Sequence, residues 1–288
     1  MLMISRRKAL LGTASLLVAQ PGLAMAQANG GMLARLRASK VAKVGIANQP
    51  PFSSLNPDGS MSGVAPSMAK AVLERLGIPN MQGAVASYGE LIPGMLAGRW
   101  DFVAASLTIT KERCSQVLFS DPLSFEGPCI VSVKGRVSEN PRTMADMIKF
   151  NLRIGVNAGG AQLRALMDAG AKPDNVSQFQ ADPMMFDALL ANRIQIAFLS
   201  HLPATAIIRQ RKLDVDMVFP VADARAPGAG NAFRTQDVEF HEAYQKELRA
   251  LKSSGEFVAI SNRFGFEIPP ELIGTTSSQL CENVSAAK

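Results

Sequence analysis

Short strand-like runs alternate with amphipathic helical segments along this chain, and this alternation limits the fold more than any other feature. Apolar, β-prone runs occupy 41–47, 81–87 and 102–110, and apolar residues at helical spacing fill 64–77 and 88–98 between them. A switch between two-residue and helical periodicity is typical of a sheet covered by helices. The first part of the chain therefore predicts an α/β unit with the order β-α-β-α-β.

A second series of the same kind begins after a polar, proline-containing break at 135–143. Strand-like and helical segments alternate from 152 to 220, and a stretch rich in glycine and proline, 223–233, separates them from a long amphipathic helix at 237–255. The repetition predicts two α/β lobes of similar size. The tail at 275–288 is polar, and we expect part of it to be disordered.

Residues 1–26 have the composition of an export signal. Arg6, Arg7 and Lys8 precede an apolar run at 9–19, and "AMA" at 24–26 offers small residues at the spacing that a signal peptidase requires. The apolar run is too short to cross a bilayer. The paired arginines fit both a twin-arginine signal and an ordinary secretory signal. We expect cleavage near Ala26 and a periplasmic mature chain.

The remaining composition argues against several functions. The chain of 288 residues has a formal net charge of +6, and signal cleavage would remove three cations without removing an acid. So small and scattered a charge argues against nucleic-acid binding. The cysteines, Cys114, Cys129 and Cys281, fit no zinc pattern, and the chain has only two histidines, so we expect neither a metal nor a cofactor.

The motif "LTITKER", followed by "FSDPL", at 107–123 is the most specific sequence in the chain. Together with the stretches at 44–77, 88–123 and 250–266, it resembles the periplasmic solute-binding proteins of ABC importers, in the polar amino-acid class. The resemblance covers most of the mature chain. Within that class, "IANQPPF", "IPGMLAGR" and Cys281 are most similar to the binders of ectoine and hydroxyectoine.

The resemblance implies an α/β, two-lobe periplasmic-binding-protein type II fold, with the ligand cleft between the lobes and two crossover strands. Residues 27–133 and 232–288 would form the first lobe and 134–231 an inserted second lobe, with the crossovers near 131–135 and 231–234. Such a protein is expected to be a monomer that captures a small solute in the periplasm and delivers it to ABC permease subunits.

The resemblance also implies which residues contact the ligand. Arg113 would hold a carboxylate through two parallel hydrogen bonds, because its guanidinium is planar and permanently charged. Phe52 and Tyr88 would supply aromatic faces for a flat or cationic ligand. The remaining predicted contacts are Gln49, Ser106, Thr108, Gly160, Ala161, Gln162 and His201.

Some of these positions depart from both subclasses. Gln49 stands where the ectoine binders have an acid, and Thr108 stands where they are expected to have an aromatic residue. Ser200 and His201 replace the aspartate with which amino-acid binders pair an α-ammonium group, and a protonated histidine would repel that group. We therefore expect a ligand with a carboxylate and a weakly basic or neutral remainder, rather than an ordinary α-amino acid.

The cysteines allow more than one arrangement in an oxidising compartment. A disulfide between Cys114 and Cys281 would tie the tail to the first lobe beside Arg113 and is the preferred interpretation. Cys129 could take the place of Cys281, or all three thiols could be reduced.

A periplasmic enzyme on the same scaffold, such as a cyclohexadienyl-dehydratase-like lyase, is the alternative function, because a fold does not fix an activity. An enzyme of this kind needs an acid or base close to its substrate. Glu126 and His201 are the only candidates for that role, and no Ser-His-Asp or Cys-His set is present. We therefore predict a binding protein rather than an enzyme.

Overall fold

The computed structural model describes residues 31–224 and 228–286, so the export signal predicted at 1–26 lies outside the described residues. Two open sheets, each with helices packed on both faces, form two lobes. The prediction of an α/β, two-lobe fold is confirmed. Among the described residues, none of the helices has the length and apolar character to cross a membrane.

The first lobe is built on a sheet with the strand order β4-β1-β5-β13-β6, in which β7 also pairs with β13. Its strands are β1 (Val41–Ile46), β4 (Asn80–Val85), β5 (Phe102–Thr108), β6 (Val117–Phe119), β7 (Ser124–Phe125) and β13 (Gly228–Arg234). The lobe also contains a small hairpin of β2 (Ser54–Leu55) and β3 (Met61–Ser62). Its helices are α1 (Met32–Ser39), α2 (Val64–Arg75), α3 (Tyr88–Leu96), α4 (Lys111–Cys114), α9 (Val238–Ser254), α10 (Glu256–Asn262), α11 (Pro270–Gly274) and α12 (Ser277–Ala286).

The second lobe has a five-stranded sheet with the order β10-β9-β11-β8-β12. Its strands are β8 (Pro128–Val133), β9 (Ile154–Asn157), β10 (Val176–Phe179), β11 (Ile196–Ser200) and β12 (Val215–Val218). Its helices are α5 (Met144–Lys149), α6 (Ala161–Asp168), α7 (Asp182–Leu190) and α8 (His201–Arg211), with a 3-10 turn at Pro173–Asn175.

Each sheet is buried on both faces, as successive residues of its central strand pack into apolar clusters on opposite sides. In β5, Phe102 and Ala104 pack into one cluster, and Val103 and Ala105 pack into the cluster on the opposite face. In β11 successive residues alternate in the same way between the two clusters of the second lobe. Side chains on a strand point to alternate faces, so a fully apolar run fits a sheet covered on both sides.

The chain passes from the first sheet to the second between Phe125 and Pro128, and it returns between Val218 and Gly228. The predicted crossovers at 131–135 and 231–234 therefore lie too far along the chain. All of β8 pairs within the second sheet, and all of β13 pairs within the first. An extended crossover runs directly into a sheet strand, and the apolar pattern does not reveal which sheet that strand joins.

Two contacts hold α12 against the first lobe. The backbone N–H of Ser277 donates to Oδ1 of Asp121 at 3.0 Å. A disulfide joins Cys281 to Cys114 in α4, with the sulfurs 2.02 Å apart. A helix at Ser277–Ala286 is thus held against the first lobe, and the expectation that part of 275–288 is disordered stays a prediction.

Candidate functional site

A cavity lies between the two lobes, at the carboxyl ends of the parallel strands of both sheets. This edge is where open α/β sheets generally bind ligands. Every predicted ligand contact except His201 lines the cavity. The lining residues are Gln49, Phe52, Tyr88, Ser106, Thr108, Arg113, Glu126, Asn157, Gly160, Ala161, Gln162, Ser200 and Ala229.

Arg113 is held at the cavity by the short helix α4 and by hydrogen bonds to both lobes. The hydroxyl of Thr110 accepts from the backbone N–H of Arg113 at 3.3 Å and caps the helix. Nη1 donates to the carbonyl of Thr108 at 2.9 Å, and Nη2 donates to the carbonyl of Gly159 in the second lobe at 3.1 Å. These contacts leave other guanidinium N–H groups for a ligand, since arginine has five donors.

The charge of Arg113 has no anionic partner within the described part of the chain. Its guanidinium forms no ion pair with a described carboxylate. Burial lowers the pKa of Arg113, although arginine stays protonated in proteins. A buried cation without a paired anion is unfavourable unless a negative charge binds beside it. The site is therefore suited to an anionic group.

A network of side chains joins the lobes through Gln49. The Tyr88 hydroxyl donates to Oε1 of Gln49 at 2.6 Å. The amide of Gln49 donates to both carboxylate oxygens of Asp182, at 3.0 and 2.8 Å, and Asn157 donates to Oδ1 at 2.7 Å. Burial raises the pKa of Asp182, and the two amide donors oppose that rise. A neutral Gln49 is therefore paired with an acid from the other lobe.

Ser106 is aimed into the cavity by an irregularity in the first sheet. The register between β5 and β13 shifts between Gly230 and Ala232, and Ser106 has a φ of +48°. Such bulges turn a side chain away from its regular direction. The Oγ atom of Ser106 is buried without a hydrogen-bond partner among the described residues. Phe52, from the first lobe, also borders the cavity and packs on Phe266 with ring centroids 5.5 Å apart.

The second lobe contributes the turn between β9 and α6. Gly160 is the N-cap of α6, and Gln162 donates to the hydroxyl of Ser200 at 3.3 Å. This turn also touches the first lobe, because a Cβ built on Gly159 would lie 2.3 Å from the Cα of Gly89. The lobes are thus in direct backbone contact at the cavity, and at position 159 only a glycine allows that approach.

His201 does not line the cavity, contrary to the prediction. It is the first residue of α8, and its ring stacks on Phe219 with centroids 3.9 Å apart. Its Nδ1 atom lies 3.8 Å from Oε1 of Glu126. Burial lowers the pKa of His201, which favours the neutral ring. Ser200, one residue earlier, occupies the cavity wall instead.

Sequence reasoning missed Asn157 and Ala229 and gave Asp182 no role. Asn157 ends β9 in a turn sequence, where asparagine is common for local reasons. Asp182 opens α7, where an acid is favourable for the helix alone. Nothing in the local pattern of Asp182 indicates that it contacts the other lobe, and nothing in that of Asn157 indicates that it lines the cavity. From the sequence, Glu126 is a candidate only for the acid or base of an enzyme.

Glu126 lies in the first segment between the lobes, and its environment disfavours ionisation. Burial raises the pKa of Glu126 to about 7, and a hydrogen bond from the backbone of Leu202 opposes the rise. Its Oε2 atom is buried without a hydrogen-bond partner among the described residues.

Comparisons with known proteins agree with this architecture. The family model for bacterial extracellular solute-binding proteins, family 3, matches residues 42–267. A probable amino-acid ABC transporter periplasmic-binding protein of Sinorhizobium fredii is 28% identical over 265 residues, which cover 87% of this chain and 86% of the relative. A histidine-binding periplasmic protein of Salmonella typhimurium is 26% identical over 238 residues, with 78% and 89% of the two chains covered.

A solved structure, EhuB in complex with hydroxyectoine, superposes with a TM-score of 0.84 at 31% identity, covering 89% of this chain and 98% of that chain. The similarity agrees with the likeness to ectoine binders in the sequence motifs. With the family match over 42–267, it confirms the resemblance drawn from those motifs. The chain belongs to family 3 of the bacterial extracellular solute-binding proteins.

Proposed function

We propose that this chain is the periplasmic substrate-binding component of an ABC importer and that its ligand is a small carboxylate-bearing solute. An ectoine-like compatible solute or an amino-acid derivative fits this description. The observation that carries the proposal is the half-buried guanidinium of Arg113, which has no carboxylate partner among the described residues and lines a cavity between the two lobes. A ligand carboxylate would supply the missing negative charge and two hydrogen-bond acceptors in the planar arrangement that arginine prefers.

The contacts between the lobes support a receptor that closes around its ligand. Arg113 touches Gly159, and Gln49 touches Asp182, so groups of both lobes meet at the cavity. A solute that contacts both lobes favours the closed arrangement by the difference in its affinity for the two states. A closed receptor of this kind is what a permease can distinguish from an open one.

The same geometry argues against a lyase. His201, one of two acid or base candidates, lies outside the cavity and stacks on Phe219. Glu126 remains as a cavity acid. Among the described lining residues, only Arg113 and Tyr88 are also titratable. Burial and nearby charge raise the pKa of Tyr88 far above neutrality, so it does not act as a base. We therefore propose binding without catalysis.

Calorimetry on the mature protein tests the proposal, with ectoine, hydroxyectoine, L-arginine and L-histidine as probes. We expect micromolar or tighter binding of at least one probe, and a loss of about 10- to 100-fold in Arg113→Lys, because lysine cannot form the bidentate pair. Arg164→Lys is the matched control, since Arg164 is exposed, pairs with Asp168 and Glu112, and does not line the cavity.

Two results would contradict the carboxylate assignment. One is a probe that binds Arg113→Lys as tightly as the wild type. The other is tight binding of amines that have no carboxylate, combined with no binding of the four probes. Mass spectrometry of any solute that remains bound through purification gives an independent identification of the ligand class.

A further inference from the structure

Glu126 is an acid within the cavity that the proposed carboxylate contact does not use. It lies between β7 and β8, in the first segment that joins the lobes, and it borders the same cavity as Arg113. Its side chain is 12% exposed. One carboxylate oxygen, Oε2, is buried and has no hydrogen-bond partner among the described residues.

The groups around Glu126 do not neutralise it. The backbone of Leu202 donates one hydrogen bond, and Cys129 is a buried thiol whose pKa is raised by burial. Nδ1 of His201 is 3.8 Å from Oε1, and the burial of that ring favours its neutral form. Arg209 acts on His201 and further disfavours its protonation. A cation that enters the cavity would therefore meet an acid without a counter-charge.

Ser106 provides a second, independent indication of what the cavity accepts. Ser106 is 6% exposed, and its Oγ atom is buried without a hydrogen-bond partner among the described residues. Buried polar atoms in native proteins nearly always have hydrogen-bond partners. Two residues that each have an unsatisfied oxygen, Ser106 and Glu126, thus line one cavity. Both can accept hydrogen bonds from an N–H group of a ligand.

Asp182, the acid that joins the lobes near the cavity, is already engaged in hydrogen bonds. Both oxygens of Asp182 accept from the amide of Gln49, and Oδ1 also accepts from Asn157. Gln49 and Ser200 are neutral. Glu126 is consequently the one carboxylate among the described lining residues, and Arg113 is the one cation.

From this arrangement we infer that Glu126 accepts the cationic nitrogen of the ligand while Arg113 holds its carboxylate, so that the site selects zwitterions with a cationic N–H group. The inference rests on the proposed carboxylate-binding function and narrows its ligand class. It replaces the expectation of a weakly basic or neutral remainder, which was based on the absence of an acid at Gln49 and His201.

The test compares matched pairs of probes by calorimetry. Ectoine, hydroxyectoine, L-arginine and L-histidine are each measured against a carboxylate of similar size that has no cationic nitrogen. The counterparts are cyclohexanecarboxylate for the ectoines, 2-hydroxyhexanoate for L-arginine and 3-phenyllactate for L-histidine. The proteins are the wild type, Glu126→Gln, Glu126→Asp and Glu139→Gln. Glu139 is a matched control because it is an exposed acid of the second lobe that contacts the neighbouring Ser138 and does not line the cavity.

We expect the wild type to bind at least one zwitterion about tenfold or more tightly than its counterpart, as charge-assisted hydrogen bonds are strong. Glu126→Gln should lose that preference and retain its affinity for the counterpart. Glu126→Asp keeps the charge and should retain part of the preference, and Glu139→Gln should match the wild type. Thermal unfolding of each variant establishes that it is folded.

The possible failures are distinguishable. A wild type that binds counterparts as tightly as zwitterions overturns the role of Glu126 and leaves the carboxylate receptor intact. An equal loss for both probe classes in Glu126→Gln shows a structural role and also overturns the inference. Binding of amines alone, insensitive to Arg113→Lys, contradicts the proposed carboxylate function instead. Failure of the wild type to bind any member of either class overturns both.

Discussion

Gln49 shows how one residue can depart from a family pattern without a loss of complementarity. The resemblance to ectoine binders implies an acid at this position, and the sequence has a neutral amide instead. In the structure the amide of Gln49 donates to both oxygens of Asp182 from the opposite lobe. The neutral amide is the side chain that can donate to this acid, and the pair joins the lobes, since Asp182 does not line the cavity.

Gln49→Glu would place two buried carboxylates in contact and should destabilise the protein. Both positions are buried, and two carboxylates in contact oppose each other's ionisation. The pKa of the pair in the folded state would therefore rise above its value in the unfolded state. A raised carboxyl pKa means that stability falls as pH rises through the folded pKa. We expect a loss of about 1–3 kcal/mol at pH 8 that is smaller at pH 5, measured by chemical denaturation.

The double variant Gln49→Glu/Asp182→Asn is the control for this prediction. It restores one amide and one acid across the same gap, so it should recover most of the stability at pH 8. A single variant with the wild-type stability at both pH values, or a double variant as unstable as the single one, would contradict the pairing.

At the scale of elements, the disulfide between α4 and α12 connects the last described helix to the element that carries Arg113. The helix that carries Arg113 is only one turn long and has no fully buried residue. Short helices depend on external contacts for their stability. The disulfide from Cys114 to Cys281 and the bond from Ser277 to Asp121 supply such contacts.

Loss of this disulfide should lower the melting temperature. The bond links residues 167 positions apart, and removal of a native disulfide typically costs about 2–5 kcal/mol, which corresponds to a decrease on the order of 5–10 °C. We expect this decrease on adding a reductant to the wild type and to Cys129→Ala. Cys114→Ser/Cys281→Ser should already be destabilised and should not respond to reductant. An unchanged melting temperature of the reduced wild type would contradict the stabilising role.

At the scale of the whole molecule, Gly159 sets how closely its turn approaches the backbone of Gly89 in the other lobe. Gly159 has a φ of +67°, and a Cβ at this position would lie 2.3 Å from the Cα of Gly89. Packed backbones do not yield to such an overlap, so closure would stop earlier. The contact lies beside Arg113, whose Nη2 donates to the carbonyl of Gly159.

Gly159→Ala should therefore shift the molecule toward an open arrangement. We expect a larger radius of gyration by small-angle X-ray scattering and a decrease in affinity of about tenfold or more for any probe that binds the wild type. Gly170→Ala is the matched control: its φ is +90°, and nothing lies within 4 Å of the Cβ position. Both variants carry similar local strain, so equal scattering curves and affinities would contradict a role of Gly159 in closure.

Much of this architecture could be predicted from the sequence, because it depends on local periodicity. The alternating apolar runs of strands such as 102–108 and the amphipathic helix at 238–254 follow from side-chain direction alone. The motifs predict the positions of Arg113, Phe52 and Tyr88, which line the cavity. The sequence does not predict the contact of Asp182 with Gln49 or the position of Glu126 at the cavity, because both depend on how the two lobes pack together.

The bond from Arg113 to the carbonyl of Gly159 makes one side chain responsible for two measurable quantities. The guanidinium that would bind a solute also forms a hydrogen bond between the two lobes. Its contacts therefore contribute both to the intrinsic affinity for the solute and to the equilibrium between the open and closed states. Changing the ligand preference of such a receptor by substitutions around this arginine would alter its mechanics at the same time. Specificity and movement would have to be adjusted together, either in evolution or in the engineering of a solute sensor from this scaffold.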